Sequence, residues 1–465
     1  MLNSSIKHGY MNKTKIVITY GPSIEDKKIL NEVLKYTDIV RINFSHGSKE
    51  SWLKYAKNVR DISNKLGKEI SLLADLPGPK IRISQLKSPI HVEKGDRIVF
   101  SNKKDTGNGS IPVDYENLHK DAKPGITISL GDGYLKLKVT KIIGKKLICT
   151  AMNSGDIQSR KGINLHNAKI SANVPTAEDI RLAQFAVENN FDFIAMSFVR
   201  SAKDIELLKE HVPKAFIIAK IERKEAVAEI KSISKSADAI MVARGDLAFD
   251  VEIEKIPTVQ HLIINASRDA CKPVIVATQM LASMVNNNMP TRAEVNDIAG
   301  AVVSGSDCLM LSDETAMGKY PLESVKILYN TIKNAESYVA QSRSNAVSAL
   351  GSGGESISFA AVEMANNFKV ECIFAPTQTG ATARRLSILR PKSRIIAMAH
   401  TIELTRKLSI YYGVESLLIK KYSSIDSMSK LIHIEAKKRG MKNYVVVFGT
   451  PNRPGSTDTL RYIEI

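Results

Sequence analysis

Residues 215–222 read AFIIAKIE, and residues 239–246 read AIMVARGD. Each segment begins as a continuous apolar run, which is typical of a parallel strand that is buried on both faces. The first run closes with Lys220 and Glu222, and the second closes with Asp246. In a (β/α)₈ barrel the chemistry lies at the carboxyl ends of such strands. The two runs therefore predict a metal and phosphate site at one end of a barrel.

Eight apolar runs predict the eight strands of this barrel. They span residues 16–20, 38–44, 70–75, 191–197, 215–221, 239–243, 274–278 and 308–312. Helical patterns with start signals lie between most of them, such as the capping box formed by Thr291 and Glu294. Because strand and helix alternate as βαβ units require, the expected fold class is α/β, a (β/α)₈ TIM barrel.

Two further domains are expected. Alternating β segments with glycine-containing breaks follow the third strand and predict a small β-barrel domain, inserted in the main barrel as a lid. After a serine- and glycine-rich stretch the α/β alternation resumes. The barrel is expected to occupy residues 1–80 and 171–340, the inserted domain residues 81–170, and a C-terminal α/β domain residues 341–465.

Composition excludes several classes of protein. The chain has 465 residues, 43% hydrophobic content and four widely spaced cysteines, which are expected to be reduced core residues. Its net charge of +18 is spread along the chain, which indicates a solvated surface rather than a nucleic-acid site. No apolar run reaches membrane-spanning length. A cytoplasmic protein is expected, with a short transit peptide or a start at Met11 as alternatives.

Glu222 and Asp246 supply the hard oxygen ligands that Mg²⁺ or Mn²⁺ prefers. Lys220 shares a strand face with Glu222 because residues i and i+2 point the same way, so it is expected to reach a phosphoryl group. The alternative is an ordinary Lys–Glu surface pair. Phosphoryl transfer needs such positive charge where negative charge spreads over the transferring oxygens.

The order of ten motifs carries a family resemblance. They read TKIVITYGPS, VRINFSHGS, DLPGPKIR, KGINL, SFVR, AKIE, MVARGDLA, KPVIVATQMLASM, PTRAE and MLSDETAMGKYP. In that order, and across all three expected domains, they resemble the motifs of pyruvate kinase. The resemblance implies a glycolytic phosphotransferase that converts phosphoenolpyruvate and ADP into pyruvate and ATP with Mg²⁺ or Mn²⁺. It also suggests a homotetramer.

Four groups are expected to bind the substrates. Arg41 and Arg82 would clamp phosphate, since a guanidinium matches phosphate oxygens bidentately; a buried ion pair with Asp75 is the alternative, and it competes more strongly for Arg41. The backbone N–H groups of Gly245 and Asp246, where a strand turns into a helix, could hold the substrate carboxylate.

The resemblance adds roles for four more residues. It places Thr278 beside the enolate carbon and assigns it, with Ser312, to the route of a proton; a helix N-cap is the alternative for Thr278. It places His46 near the nucleotide phosphates, although a lone loop histidine is usually structural. Lys161 is expected to bring charge from the lid onto the phosphates, with a solvated lysine as the alternative.

The enzyme is expected to work without K⁺, although its family is associated with K⁺ activation. In members that bind the ion, the residues matching Asn43, Ser45 and Asp75 supply oxygen ligands, and the residue matching Leu76 contributes its carbonyl. Lys80 replaces the family's glutamate, so a tethered ammonium can supply the charge of the ion. The alternative is that Lys80 points into solvent and K⁺ still binds.

A loop of the C-terminal domain is a candidate anion site. Thr377, Gln378, Thr379, Gly380 and Thr382 join an apolar run to a predicted helix start, where free N–H groups favour phosphate. The expected ligand is a phosphorylated metabolite or another anion. A capped turn without a ligand is the alternative.

Three departures from the family pattern put local loop geometry in doubt: Ala248, Asp313 and the pair His166-Asn167. Two functions from other classes remain open. One is a barrel lyase or aldolase that acts on pyruvate or oxaloacetate, and the other is a catalytically silent relative that binds metabolites.

Overall fold

The structure is a computed structural model that describes residues 12–102, 109–131, 135–166, 168, 170–342, 352–422, 424–449 and 455–465. Residues 1–11, Asn167 and most of the serine- and glycine-rich stretch lie outside this description, together with the expectations that concern them. None of the helices described is long and apolar enough to cross a membrane.

Eight parallel strands close into a barrel, as the sequence predicted. The strands are Lys15–Thr19, Ile39–Asn43, Ser71–Asp75, Phe193–Met196, Ile217–Ile221, Ala239–Ala243, Val274–Ala277 and Cys308–Met310. Their outer helices are Lys27–Leu34, Lys49–Leu66, Ala177–Glu188, Ala202–His211, Lys224–Ala228, Ile230–Ser236, Ile256–Asp269, Arg292–Ser304 and Pro321–Ser342. Short helices at strand ends are Arg244–Leu247 and Asp313–Ala316, with 3₁₀ turns at Pro22–Ile24, Ile253–Lys255 and Ala282–Val285.

An inserted β domain follows the third barrel strand. Its strands are Ile90–Val92, Arg97–Asn102, Ile111–Val113, Thr127–Leu130, Leu135–Ile143, Lys146–Ala151, Gly155–Ile157 and Ile163–Leu165, with one helical turn at Leu118–Asp121. Six of them form one sheet, and two form a separate ribbon. Arg82 and Ile83 bridge to Gly162 and Val113 near the two edges of the six-stranded sheet, which brings its ends together.

The C-terminal domain is a five-stranded sheet flanked by helices. Its strands are Cys372–Pro376, Arg394–Ala399, Val414–Leu418, Asn443–Phe448 and Thr459–Glu464, and the last one pairs antiparallel. Its helices are Gly353–Asn367, Ala381–Ile388, Ile402–Lys407 and Ile425–Lys438, with a 3₁₀ turn at Leu408–Ile410.

The barrel lumen is apolar at one end and charged at the other. Ile39, Leu73 and Ile218 belong to one buried cluster that continues into the C-terminal domain through Ile410 and Tyr411. Two residues further along those strands, the same lumen face carries charged side chains instead, because side chains in a strand alternate with period two. The polar end of the lumen is therefore set by the sequence of each strand.

All four cysteines are free. Cys149, Cys308 and Cys372 are buried, as expected, but Cys271 is exposed. The prediction that Cys271 is a core residue was therefore wrong: it has a positive φ in the turn that follows the helix ending at Asp269, where the chain runs over the surface.

Candidate active site

A polar cavity of about 80 Å³ opens at the carboxyl end of the barrel strands. It collects eleven of the residues singled out from the sequence: Arg41, Asn43, Ser45, His46, Asp75, Leu76, Lys80, Arg82, Lys220, Glu222 and Asp246. Most of them follow buried strand positions, so the parallel barrel delivers them to one place. This convergence is what the strand-end pattern predicted.

The ammonium of Lys220 is the centre of this cavity's charge network. Its Nζ lies 2.8 Å from Glu222 Oε1 and 3.1 Å from Asp75 Oδ1, and it donates to Ser197 Oγ at 2.6 Å. Burial lowers the pKa of Lys220, but the attraction of Asp75 and Glu222 outweighs burial and raises the pKa well above its usual value. Lys220 is therefore a fixed cation rather than a surface lysine.

Asp75 balances two cations. Arg41 reaches Asp75 Oδ2 through Nε at 2.7 Å and through Nη2 at 2.6 Å, and Lys220 approaches the other oxygen. Burial raises the pKa of Asp75, yet the attraction of Lys220 and Arg41 prevails and holds that pKa below its usual value. The ion pair considered as an alternative for Arg41 is present, although the guanidinium also lines the cavity.

Glu222 and Asp246 form a site suited to a divalent cation. Glu222 is 1% exposed, its Oε2 accepts from the backbone N–H of Phe198 at 2.7 Å, and its Oε1 faces the ammonium of Lys220 at 2.8 Å. Burial raises the pKa of Glu222, repulsion from Asp246 raises it further, and Lys220 opposes both effects. Two carboxylates that line one cavity and repel each other fit Mg²⁺, which uses one or two carboxylates plus waters and substrate oxygens.

A complete metal cage is not built from the protein alone. In the part of the chain that the structure describes, no group of three or more His, Cys, Asp or Glu side chains is arranged to hold a metal ion. Substrate oxygens would therefore have to complete the coordination of a cation at Glu222 and Asp246.

Two of the oxygens expected to surround a monovalent cation are engaged in contacts within the protein. The Leu76 carbonyl accepts from Ser197 Oγ at 2.7 Å, and Asn43 Oδ1 accepts from the Ser45 N–H at 3.0 Å. Lys80 lines the cavity but is exposed. No carboxylate within the described ranges pairs with Lys80. The pKa of His46 is lowered, first by burial, then by the charge of Arg82, and then by the charge of Lys80.

Thr278 and Gly245 meet beside the cavity. The N–H of Gly245 donates to Thr278 Oγ1 at 2.8 Å, and that hydroxyl donates to the carbonyl of Ala277 at 2.6 Å. Leu281, not Thr278, is the N-cap of the 3₁₀ turn Ala282–Val285 that follows, so the N-cap alternative for that turn was wrong. Ser312 Oγ is buried and has no hydrogen-bond partner among the residues described, and it lies outside the cavity lining.

The remaining candidates lie at the edge of this arrangement or away from it. Arg82 Nη1 donates to the Arg160 carbonyl at 2.9 Å, which ties the cavity wall to the inserted domain. Lys161 is exposed on that domain and does not line the cavity.

The C-terminal loop resembles a capped turn. Thr377 Oγ1 accepts from the Gly380 N–H at 2.9 Å, and Thr382 Oγ1 meets Thr457 Oγ1 at 2.9 Å. Thr379 Oγ1 lies 3.4 Å from the Ala381 N, whereas Gln378 is exposed. The hydroxyl groups that could meet an anion are largely used within the protein.

The departures from the family pattern fit their local backbone. Ala248 adopts right-handed helical angles, φ −66° and ψ −9°, so glycine is not required there. Asp313 begins the short helix Asp313–Ala316 without a positive φ. His166 Nε2 lies 2.9 Å from Ser129 Oγ inside the inserted domain.

Two residues of the site were given no role from the sequence. Ser197 follows a buried strand and contacts Lys220, and a polar residue at a strand end was the signal for it. Arg244 is buried directly before Gly245 and Asp246, and no sequence pattern shows where its long side chain points.

Comparisons with known proteins agree with this geometry. Residues 11–325 match the model for the pyruvate kinase barrel domain, and residues 355–463 match that for the pyruvate kinase alpha/beta domain. The chain is 38% identical to a pyruvate kinase of Thermococcus litoralis, covering 87% of this chain and 88% of that protein. It is 36% identical to one of Bacillus licheniformis, covering 97% of this chain and 80% of that one. A crystal structure of a pyruvate kinase from Cryptosporidium parvum has a TM-score of 0.87 at 32% identity, covering 98% of this chain and 96% of that one.

Proposed function

Because this chain belongs to the pyruvate kinase family, we propose that its cavity transfers the phosphoryl group of phosphoenolpyruvate to ADP with one divalent cation at Glu222 and Asp246, and without K⁺. Transfer of that phosphoryl group to ADP is the reaction of the family. Beyond that reaction, we propose the site of the cation, the roles of individual residues, and independence from K⁺. The main support for these proposals is the contact of Lys220 with both Asp75 and Glu222.

Lys220 would stabilise the transferring phosphoryl group. Its charge is preorganised by Asp75, Glu222 and Ser197, so little reorganisation is needed when charge develops on the phosphoryl oxygens. Burying an ion is unfavourable unless the ion is paired, and these contacts offset the loss of hydration of the Lys220 ammonium. A bound divalent cation would neutralise negative charge on the substrate oxygens and on Glu222 and Asp246. Arg41 and Arg82 would orient the phosphates from the cavity wall.

The enolate left by phosphoryl loss must gain a proton at carbon. Thr278 would lie beside that carbon on the route that delivers the proton, and Ser312 would lie further along the same route. The unpartnered hydroxyl of Ser312 supports this role, because a buried donor without a partner favours a water or substrate group beside it. Gly245 would face the substrate carboxylate, while His46 and Lys161 would meet the nucleotide phosphates.

Independence from K⁺ is supported by the contacts of the candidate ligands. Asp75 is neutralised by Arg41 and Lys220, and the Leu76 carbonyl accepts from Ser197. Lys80 adds a tethered positive charge at the cavity wall. Lys80 is exposed, and the competing hypothesis is that it faces solvent while K⁺ binds.

The same proposal includes four further points. They are domain boundaries at 81–170 and 341–465, a homotetramer, a cytoplasmic location, and an anion site in the C-terminal loop. Sedimentation equilibrium of the purified chain tests the tetramer, and a monomer at micromolar concentration would contradict it.

A coupled assay tests the reaction. The purified protein, supplied with phosphoenolpyruvate, ADP and Mg²⁺, should form pyruvate and ATP in equal amounts. Cleavage of oxaloacetate without ADP would favour a lyase or aldolase instead. Binding of phosphoenolpyruvate without turnover would indicate a silent relative.

A further inference from the structure

We propose that Arg244 is a positioning residue that holds Thr278 in place for proton delivery, and that Asp297 orients Arg244 for this task. The inference rests on the role proposed above for Thr278. Arg244 is buried, and its guanidinium is engaged by the Thr278 carbonyl and the Asp297 carboxylate, so it would act through Thr278 rather than on the substrate.

Thr278 needs to be held because its backbone is strained. Its φ is +69°, and that of Gln279 is +53°. A left-handed conformation is a genuine outlier for a β-branched residue, and it persists only where the surroundings enforce it. Such strain is concentrated at functional sites.

Two neighbouring residues hold Thr278 from opposite ends. Arg244 Nη2 donates to the Thr278 carbonyl at 2.6 Å, and Arg244 Nε donates to the same oxygen at 3.3 Å. The N–H of Gly245 donates to Thr278 Oγ1 at 2.8 Å. Residues 244 and 245 therefore fix both the peptide plane and the hydroxyl group of Thr278, which directly follows the adjacent barrel strand.

Asp297 holds the guanidinium in the required orientation. Arg244 Nη1 donates to Asp297 Oδ1 at 2.9 Å and to Asp297 Oδ2 at 2.6 Å. Asp297 comes from the helix Arg292–Ser304, and the Arg244 side chain is only 8% exposed. A lysine cannot reproduce this arrangement, because it lacks the planar fork that reaches a carboxylate and a carbonyl at once.

The test compares the variants Arg244→Lys and Asp297→Asn with wild type in two assays. The first measures the kcat and KM of phosphoryl transfer. The second follows deuterium exchange at the methyl group of pyruvate by NMR, in the presence of ATP and Mg²⁺. Asp192→Asn is the matched control, because it weakens another buried Arg–Asp pair, with Arg60 at 2.6 Å, before the start of a barrel strand.

Both variants should slow methyl exchange roughly 10–100-fold, since a small misplacement of a reacting group has that effect, while KM for phosphoenolpyruvate changes little. Asp192→Asn should lower Tm without a comparable loss of exchange. Undiminished exchange in folded Asp297→Asn, or an equal loss in Asp192→Asn, would overturn the inference. Asp297→Asn keeps the side-chain volume and one acceptor oxygen. It therefore tests the role of Arg244 even if the Arg244→Lys variant does not fold. An inactive wild type would instead refute the proposed function.

Discussion

The ammonium of Lys220 lies 2.8 Å from the carboxylate of Glu222, two residues further along the same chain. The pair spans the end of the barrel strand Ile217–Ile221, so both side chains point into the same end of the lumen. A divalent cation at Glu222 would share that carboxylate with Lys220. The phosphoryl group would then meet two positive charges that are held by one acidic side chain.

Replacing Lys220 by Met should lower kcat by at least ~10²–10³, the effect of losing one preorganised donor. Because Lys220 also carries a full positive charge, we expect kcat to fall by more than this range. Steady-state kinetics with phosphoenolpyruvate and ADP measure it. Lys209→Met is the control, because Lys209 pairs with Asp238 at 3.0 Å outside the cavity. A change in KM alone would make Lys220 a binding residue instead.

Replacing Thr278 by Val should slow proton exchange at the methyl carbon of pyruvate at least as much as it slows phosphoryl transfer. The valine keeps the side-chain shape but removes the hydroxyl group next to Gly245. NMR exchange and the coupled assay give the two rates. Thr331→Val removes a hydroxyl that bonds only within a helix, to the Ile327 carbonyl, and should leave both rates unchanged. Normal exchange in Thr278→Val with normal substrate binding would refute the proton-delivery role.

The rate of the wild-type enzyme should be nearly equal in K⁺ buffer and in tetramethylammonium buffer free of Na⁺ and K⁺, at matched ionic strength. A tethered charge at Lys80 avoids the cost of capturing a free cation. The double variant Lys80→Glu with Leu76→Thr should acquire a K⁺ requirement. Strong activation of the wild type by K⁺ would rule out the proposal and favour the solvent-facing alternative for Lys80.

Calorimetry should detect binding of at least one sugar phosphate or nucleotide at the loop formed by residues 377–382, if that loop is an anion site. Thr379→Val in the loop should weaken the binding, because a hydroxyl at a helix start helps to hold an anion. Thr401→Ala alters another helix cap of the same domain and serves as the control. No binding across the panel would favour a capped turn, in agreement with the contacts of Thr377 and Thr382.

The barrel and its charged end could be predicted because both follow from local sequence. Continuous apolar runs fix buried parallel strands, and the residues that close those runs must emerge at one end. Asp75, Lys220 and Glu222 were found in this way, and the structure brings Lys220 within ion-pair distance of both carboxylates.

Other features depend on contacts that a single sequence does not encode. The hydrogen bond from Arg244 to Thr278 joins the segments that follow two adjacent strands, through a long flexible side chain that Asp297 orients. The positive φ of Thr278 contradicts its local preference and is imposed by these neighbours. The antiparallel edge strand Thr459–Glu464 was also missed, since its short mixed sequence becomes a strand only beside Asn443–Phe448.

The dependence of ATP formation on a divalent cation tests the central proposal most directly. Wild-type enzyme with phosphoenolpyruvate and ADP should be inactive in excess chelator and should recover when Mg²⁺ or Mn²⁺ is added beyond the chelator. Glu222→Gln should need much more metal for half-maximal rate, because it removes one of two anionic ligands, whereas Glu229→Gln, on a surface turn, should behave as wild type. Full activity of the wild type in excess chelator would contradict a metal-dependent phosphoryl transfer at Glu222 and Asp246.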